Sequence, residues 1–301
     1  MIKRSIYIES ECHLSIENEQ LKISNKSTGE LNSLPVEDLG FIMLDNRMIT
    51  YTHCALQKFA EYNIATIICD EKHLPISMLN PLIGHSTQTA TYKSQLNSSE
   101  SIKNNLWKQT IIAKIKNQAK VLKNNGKESI FLNNLVKNVK SGDSNNREAI
   151  AAKHYWKELF DIPNFKRERE GIYPNSLLNY SYSIIRAGIA RALIASGLLP
   201  TIGIHHQNKY NYMCLADDIM EPYRPFADAF VYQFIKDNPE IHSINKDFKL
   251  QALKVLTSDV KMRNLIRPMM IAFSYTTSSL AKCIDGKQKL INFPEITNGT
   301  K

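Results

Sequence analysis

Residues 203–228 read Gly203-Ile204-His205-His206-Gln207-Asn208-Lys209-Tyr210-Asn211-Tyr212-Met213-Cys214-Leu215-Ala216-Asp217-Asp218-Ile219-Met220-Glu221-Pro222-Tyr223-Arg224-Pro225-Phe226-Ala227-Asp228. Two adjacent histidines sit in a polar loop, and three acids follow in one short segment. Asp217 or Asp218 can cap a helix that carries Glu221 in its first turns. Pro222 and Pro225 are tolerated only near a helix start or at a break, so a new helix is expected from about Arg224 to Phe234. The stretch therefore reads as loop, short helix, break and helix, set in a helical half of the chain.

Working outward, Asn175 to Ala195 carries Leu177, Leu178, Ile184, Ile185, Ile189, Leu193 and Ile194 at helical spacing, and Gly197 ends it. Leu106–Asn124 is a helix with an Ile111, Ile112, Ile115, Ala119, Leu122 stripe, stopped at Asn124-Asn125-Gly126. Glu128 to Val139 gives a shorter helix. Another opens near Arg147-Glu148 and runs to Phe160, with Asn145 or Asn146 as its cap and Glu148 in its first turn. The charged segment Phe165–Tyr173 reads as a loop. Downstream, Asp247–Leu256 and Ser258–Cys283 are read as the last helices, with a loosely held tail after Asp285.

The first 80 or so residues have a different period. Ile2, Ile6 and Ile8 share one parity. Leu14 and Ile16 mirror Leu21 and Ile23 across a polar turn, a β-hairpin. Phe41–Leu44, Ile64–Cys69 and Leu74–Leu79 are short strands, and Thr52 to Tyr62 is one helix. Pro75, Pro81, Gly84 and a Ser/Thr/Gln-rich run from Ser86 to Ser101 break the pattern. The expected fold class is α+β: a β-rich N-terminal domain over 1–85, a linker over 86–104, and an all-α domain over 105–301.

The 301 residues are enough for one large domain or two ordinary ones, each with its own core. No apolar run reaches membrane-span length, and the N-terminus lacks a signal-peptide core. Five scattered cysteines with no Cys-x-x-Cys pair argue against a disulfide framework or zinc finger and for a reducing cytoplasm. The net charge of +9 is uneven: residues 1–90 carry 7 basic and 11 acidic side chains, and the remainder 31 and 18. A basic helical half beside a mildly acidic β half suits a polyanionic partner. Lys116, Lys120 and Lys123 form a helical row that is either a solvated face or a track for phosphates.

Imidazole and carboxylates together are ligands for Mg2+ or Mn2+, ions that draw charge off phosphate oxygens. The spacing of a zincin helix is missing. Taken singly these residues have plainer readings: exposed histidines, helix caps, and an acid favoured by the helix dipole.

Together, Asn146-Arg147-Glu148-Ala149, Gly203-Ile204-His205-His206, Leu215-Ala216-Asp217-Asp218-Ile219-Met220-Glu221-Pro222 and Arg224-Pro225-Phe226-Ala227-Asp228 resemble the integrase subunit of CRISPR spacer acquisition. That subunit is the larger of the two core adaptation proteins, and the likeness is to the form that accompanies type II, Cas9-containing systems. The resemblance implies a metal-dependent endonuclease and integrase. It would insert short double-stranded DNA into a CRISPR array by 3′-hydroxyl attack at the leader–repeat. Its metal would be held by Glu148, His206 and Glu221, with Glu221 where many relatives have Asp. His205 is the alternative histidine. Asp218 is a supporting acid, and Arg224 and Asp228 brace the site. Implied partners are a homodimeric copy joined through the β-rich domain and the small ferredoxin-like adaptation subunit, with Cas9 and a fourth adaptation protein as further candidates. A stand-alone branched-DNA repair nuclease and a non-catalytic DNA-binding scaffold are the rival classes. A bacterial cytoplasmic setting follows from the same resemblance.

Overall fold

The structure is a computed structural model. It describes residues 4–297, apart from Lys72, Asn164, Arg169, Glu170 and Ile172. Ile2, and parts of the expected Phe165–Tyr173 loop, lie outside the described residues. The chain divides into two compact units, 1–86 and 87–301.

The first unit holds β1 (Arg4–Ile8), β2 (Cys12–Glu17), β3 (Gln20–Asn25), β4 (Leu31–Pro35), β5 (Leu39–Leu44), β6 (Thr50–Tyr51), α1 (His53–Glu61), β7 (Ala65–Cys69) and β8 (Pro75–Leu79). One sheet has the order β1-β5-β7-β8, its first three strands parallel; the other has the order β4-β3-β2-β6. The expected hairpin forms with Leu14 opposite Ile23 and Ile16 opposite Leu21. Strand β5, with every residue buried, is the apolar run that a parallel sheet covered on both faces requires. Leu14, Leu21, Val36, Leu39, Ile42 and Phe59 close the core. Thr52 caps α1 by accepting from the Ala55 N–H.

The second unit holds α2 (Gln88–Leu96), α3 (Glu100–Asn124), α4 (Ile130–Val136), α5 (Arg147–Leu159), α6 (Asn175–Ala195), α7 (Cys214–Met220), α8 (Arg224–Asp237), α9 (Lys246–Lys254), β9 (Asp259–Met262), β10 (Leu265–Pro268) and α10 (Met269–Ile284). The unit is helical as expected, with one hairpin added. Residues 86–104, expected as a linker, instead contain α2 and the start of α3. Gln95 of α2 bonds the loop after α6, through Leu199 and Ile202 carbonyls and the Leu199 N–H.

Three further expectations are corrected. Ser258–Cys283 is not one helix: β9 and β10 pair antiparallel across Arg263-Asn264, with Val260 and Met262 buried, and only α10 is helical. The segment after Asp285 is tied down to Thr297: Ile291 and Ile296 are buried, and Glu295 exchanges backbone hydrogen bonds with Lys261. The buried Asn117 of α3 donates to the carbonyls of Pro222 and Pro294 and accepts from the Ile296 N–H. It thereby joins the tail to the turn that carries Glu221. Lastly, the cap of α5 is neither Asn145 nor Asn146. The Asp143 carboxylate takes the N–H groups of Arg147 and Glu148, at 2.8 and 3.0 Å. Asn146 stands in the left-handed region at φ 53° and offers no capping bond.

Candidate active site

Three elements of the helical unit supply the candidate residues. Glu148 lies in the first turn of α5, and Glu221 opens a single 3-10 turn between α7 and α8. The two histidines stand in the loop before α7. The prolines act as expected: Pro222 and Pro225 sit in the first positions of that turn and of α8.

The loop is organised by Asp218, whose side chain is 0% exposed. Its Oδ2 accepts from the N–H groups of Ile204 and His205 at 2.7 and 3.0 Å, and its Oδ1 from that of His206 at 3.1 Å. Oδ1 also lies 2.6 Å from His206 Nδ1. Asp218 is thus inside α7, not its cap, and its oxygens are committed to shaping the loop. Asp217, also inside α7, is held by Arg186 and Asn211. Gly203 is required for close approach: a Cβ there would stand 2.4 Å from the His206 carbonyl oxygen and 2.8 Å from Asp218 Oδ2.

The two histidines are set apart by their partners. The His205 ring lies flat on the buried Trp107, 4.1 Å between centroids and 2° between planes. His206 meets Trp107 edge-on and remains 43% exposed. Its hydrogen bond to Asp218 raises its pKa, against partial burial and with help from Glu221. In the neutral ring, a proton held at Nδ1 toward Asp218 leaves the lone pair on Nε2.

Glu148 and Glu221 come together through a residue that the sequence reading passed over. Lys114 of α3, only 11% exposed, places Nζ 2.6 Å from Glu148 Oε1 and 2.6 Å from Glu221 Oε2. Burial works against its charge, but the two glutamates outweigh that and raise its pKa. The other oxygen of Glu221 takes the Arg224 Nε–H at 2.8 Å. Burial opposes ionisation of Glu221, yet Arg224 and Lys114 prevail and lower its pKa to about 2. Its buried Oε2 makes no aligned hydrogen bond despite the Lys114 contact.

Behind Arg224 lies a braced network. Its guanidinium covers the Tyr182 ring at 4.6 Å. Tyr182 and Tyr155 both donate to the buried Asp228, Tyr155 at 3.0 Å. Desolvation raises the Asp228 pKa to about 7 even against those two donors.

Among the described residues no three His, Cys, Asp or Glu side chains converge closely enough to hold an ion as they stand. The chemistry of the donors still fits one. Two carboxylate oxygens face a single cation position, one of them buried without an aligned donor, beside a histidine whose other nitrogen is fixed. Of the expected phosphate row, Lys116 and Lys123 are exposed, while Lys120 pairs with Glu295 at 3.0 Å.

A β-rich unit is followed by a helical unit that carries acids and a histidine on its loops and helix ends, and the family match places that arrangement in the class of CRISPR-associated proteins. The family described as "CRISPR associated protein Cas1" matches residues 6–269, and the chain belongs to it. It is 33% identical over 299 residues to the CRISPR-associated endonuclease Cas1 of Neisseria meningitidis serogroup C (strain 8013), covering 98% of this chain and 97% of that protein. Among solved structures, a casposase bound to integration product matches with TM-score 0.79 and 18% identity, over 97% of this chain and 94% of that one. A chain of a Cas6-RT-Cas1–Cas2 complex matches with TM-score 0.69 and 19% identity, over 98% of this chain and 36% of that one. These two share the fold.

Proposed function

We propose that this protein is the integrase of a CRISPR adaptation complex, a metal-dependent endonuclease that joins short duplex DNA to an array. The observation that carries the reading is the meeting of Glu148 and Glu221 at one cation position, with His206 oriented by Asp218. Supporting it are membership of the Cas1 family, the endonuclease named in Neisseria, and the casposase found with an integration product.

Glu148, Glu221 and His206 Nε2 would hold Mg2+ or Mn2+. When bound, the ion supplies Lewis-acid compensation for charge growing on the phosphoryl oxygens. Asp218 keeps the Nδ1 proton in place, and Arg224 fixes the Glu221 carboxylate, so both are set before substrate arrives. In the reaction, the fragment's terminal 3′-oxygen bonds to phosphorus at the leader–repeat boundary as the bond from phosphorus to the leaving 3′-oxygen breaks. One phosphodiester replaces another, so no nucleoside triphosphate is consumed. With water as the nucleophile the outcome is hydrolysis.

The partners of this reading are double-stranded DNA, a second copy of the chain joined through the β-rich unit, and a small Cas2-like subunit. The Cas1–Cas2 assembly among the fold relatives favours the last. Cas9 and a fourth adaptation protein are further candidates, and the setting is the bacterial cytoplasm.

The test is a strand-transfer assay with Mn2+, run with and without the small subunit. Glu148→Ala, His206→Ala and Glu221→Ala should each lose on the order of 10²-fold or more while keeping most DNA affinity. Unimpaired transfer by His206→Ala would overturn the metal assignment. Hydrolysis of branched DNA with no integration in the complete complex would favour the repair nuclease.

A further inference from the structure

We infer that Lys114 is a built-in competitor for the divalent ion: its ammonium and the ion exclude one another between Glu148 and Glu221. The inference rests on the metal reading above and concerns how that site is kept ready and how it is loaded.

The geometry carries it. One Nζ lies 2.6 Å from an oxygen of each glutamate, so it occupies the position where the two carboxylates converge. Two acids this close repel unless a cation lies between them. Lys114 supplies that cation, tethered by a side chain only 11% exposed. With Arg224 on the other oxygen of Glu221, two cations face two carboxylates, and the cluster is neutral without an ion. An arriving dication would find the position taken and the charge balanced. It must expel the ammonium, since like charges a few ångströms apart in a buried site repel strongly. A lysine is suited to this, being a point charge on a flexible stem. The arrangement keeps Glu148 and Glu221 facing each other before loading, and lowers ion affinity in return.

The experiment is a Mn2+ titration of the full-length protein by EPR, with wild type, Lys114→Met and Lys114→Gln compared. Both variants should bind Mn2+ more tightly, on the order of tenfold, and should gain more in melting temperature from Mn2+ than wild type does. In crystals grown with Mn2+, wild-type Nζ should have left both glutamates. Equal or weaker Mn2+ binding by both variants overturns competition and leaves Lys114 as a brace. Nζ still in contact with both glutamates beside a bound ion overturns it as well. Glu148→Gln and His206→Ala separate this failure from that of the metal reading. If they bind Mn2+ as wild type does, the metal site itself is misassigned and competition falls with it. If they lose binding while the Lys114 variants gain none, competition alone fails.

Discussion

His206 Nδ1 lies 2.6 Å from Asp218 Oδ1, and the same carboxylate gathers the backbone N–H groups of Ile204, His205 and His206. One buried acid thus sets both the path of the loop and the orientation of the imidazole. Asp218→Ala should cost roughly 1–3 kcal/mol, because it strands the buried Ile204 N–H and leaves the half-buried N–H groups of His205 and His206 without their acceptor. Asp218→Asn keeps one acceptor and should cost less, while Mn2+ affinity falls about 10–100-fold. Urea unfolding and Mn2+ titration of both variants check this.

Gly203→Ala should act on the same loop from the opposite side. Its Cβ would meet the His206 carbonyl at 2.4 Å, a backbone atom that cannot rotate away. The expected cost is about 1–3 kcal/mol, with strand transfer lost at temperatures where the protein remains folded. Unfolding curves and transfer assays at one temperature separate the two effects.

Asn117→Ala removes three buried hydrogen bonds, to Pro222, Pro294 and Ile296. A loss of about 2–4 kcal/mol is expected, since the carbonyls and N–H left behind have no water to turn to. The Glu221 turn should loosen with it, so hydrogen exchange near Tyr223 and near Ile296 should quicken together.

Two buried acids give opposite pH responses. Glu221 is lowered from 4.5 to about 2 by Arg224 and Lys114, working against burial. Its contribution, roughly 3 kcal/mol, is fully present above pH 4.5 and disappears as pH falls toward 2. Asp228 is raised from 3.8 to about 7 by desolvation. For this acid the folded state holds the proton more tightly, so stability is lost as pH rises from 3.8 toward 7, by roughly 4 kcal/mol. Asp228→Asn should therefore shrink the difference in unfolding free energy between pH 4.5 and pH 7. An unchanged difference would place Asp228 outside the titrating set.

Lys116→Glu with Lys123→Glu tests the exposed basic row of α3. DNA affinity should fall at every sequence tested, and the salt slope should drop by about 2. Lys120→Glu should do less, because its ammonium already faces Glu295. An unaltered slope in the double variant would move the DNA track to another face.

Local pattern was enough wherever one element explains its own residues. The β2–β3 register followed from Leu14, Ile16, Leu21 and Ile23, and the placement of Glu148 followed from the start of α5. It failed where a distant partner decides. Lys114 looked like one more helical lysine; yet it shares with Thr110, Asn117 and Gln118 a buried face of α3, and that i, i+3, i+4 row of polar residues was the available signal. The β9–β10 hairpin was masked by its apolar content. Pro268 within a supposed helix, and the alternation of exposed Asp259 and Lys261 with buried Val260 and Met262, pointed to it. Asp143, lying outside α5, caps it because the glycine turn at Gly142 brings it back, at φ 63°.

The hydrogen bond from Asn117 to Pro294 spans 177 positions of the chain. During synthesis, Glu148, His206 and Glu221 emerge from the ribosome well before Pro294 does. A nascent chain therefore carries these three side chains early and the strap under the Glu221 turn late. Until that strap arrives the Glu221 turn lacks one of its supports, so residues near the end of the chain complete the seat of a turn that emerged before them.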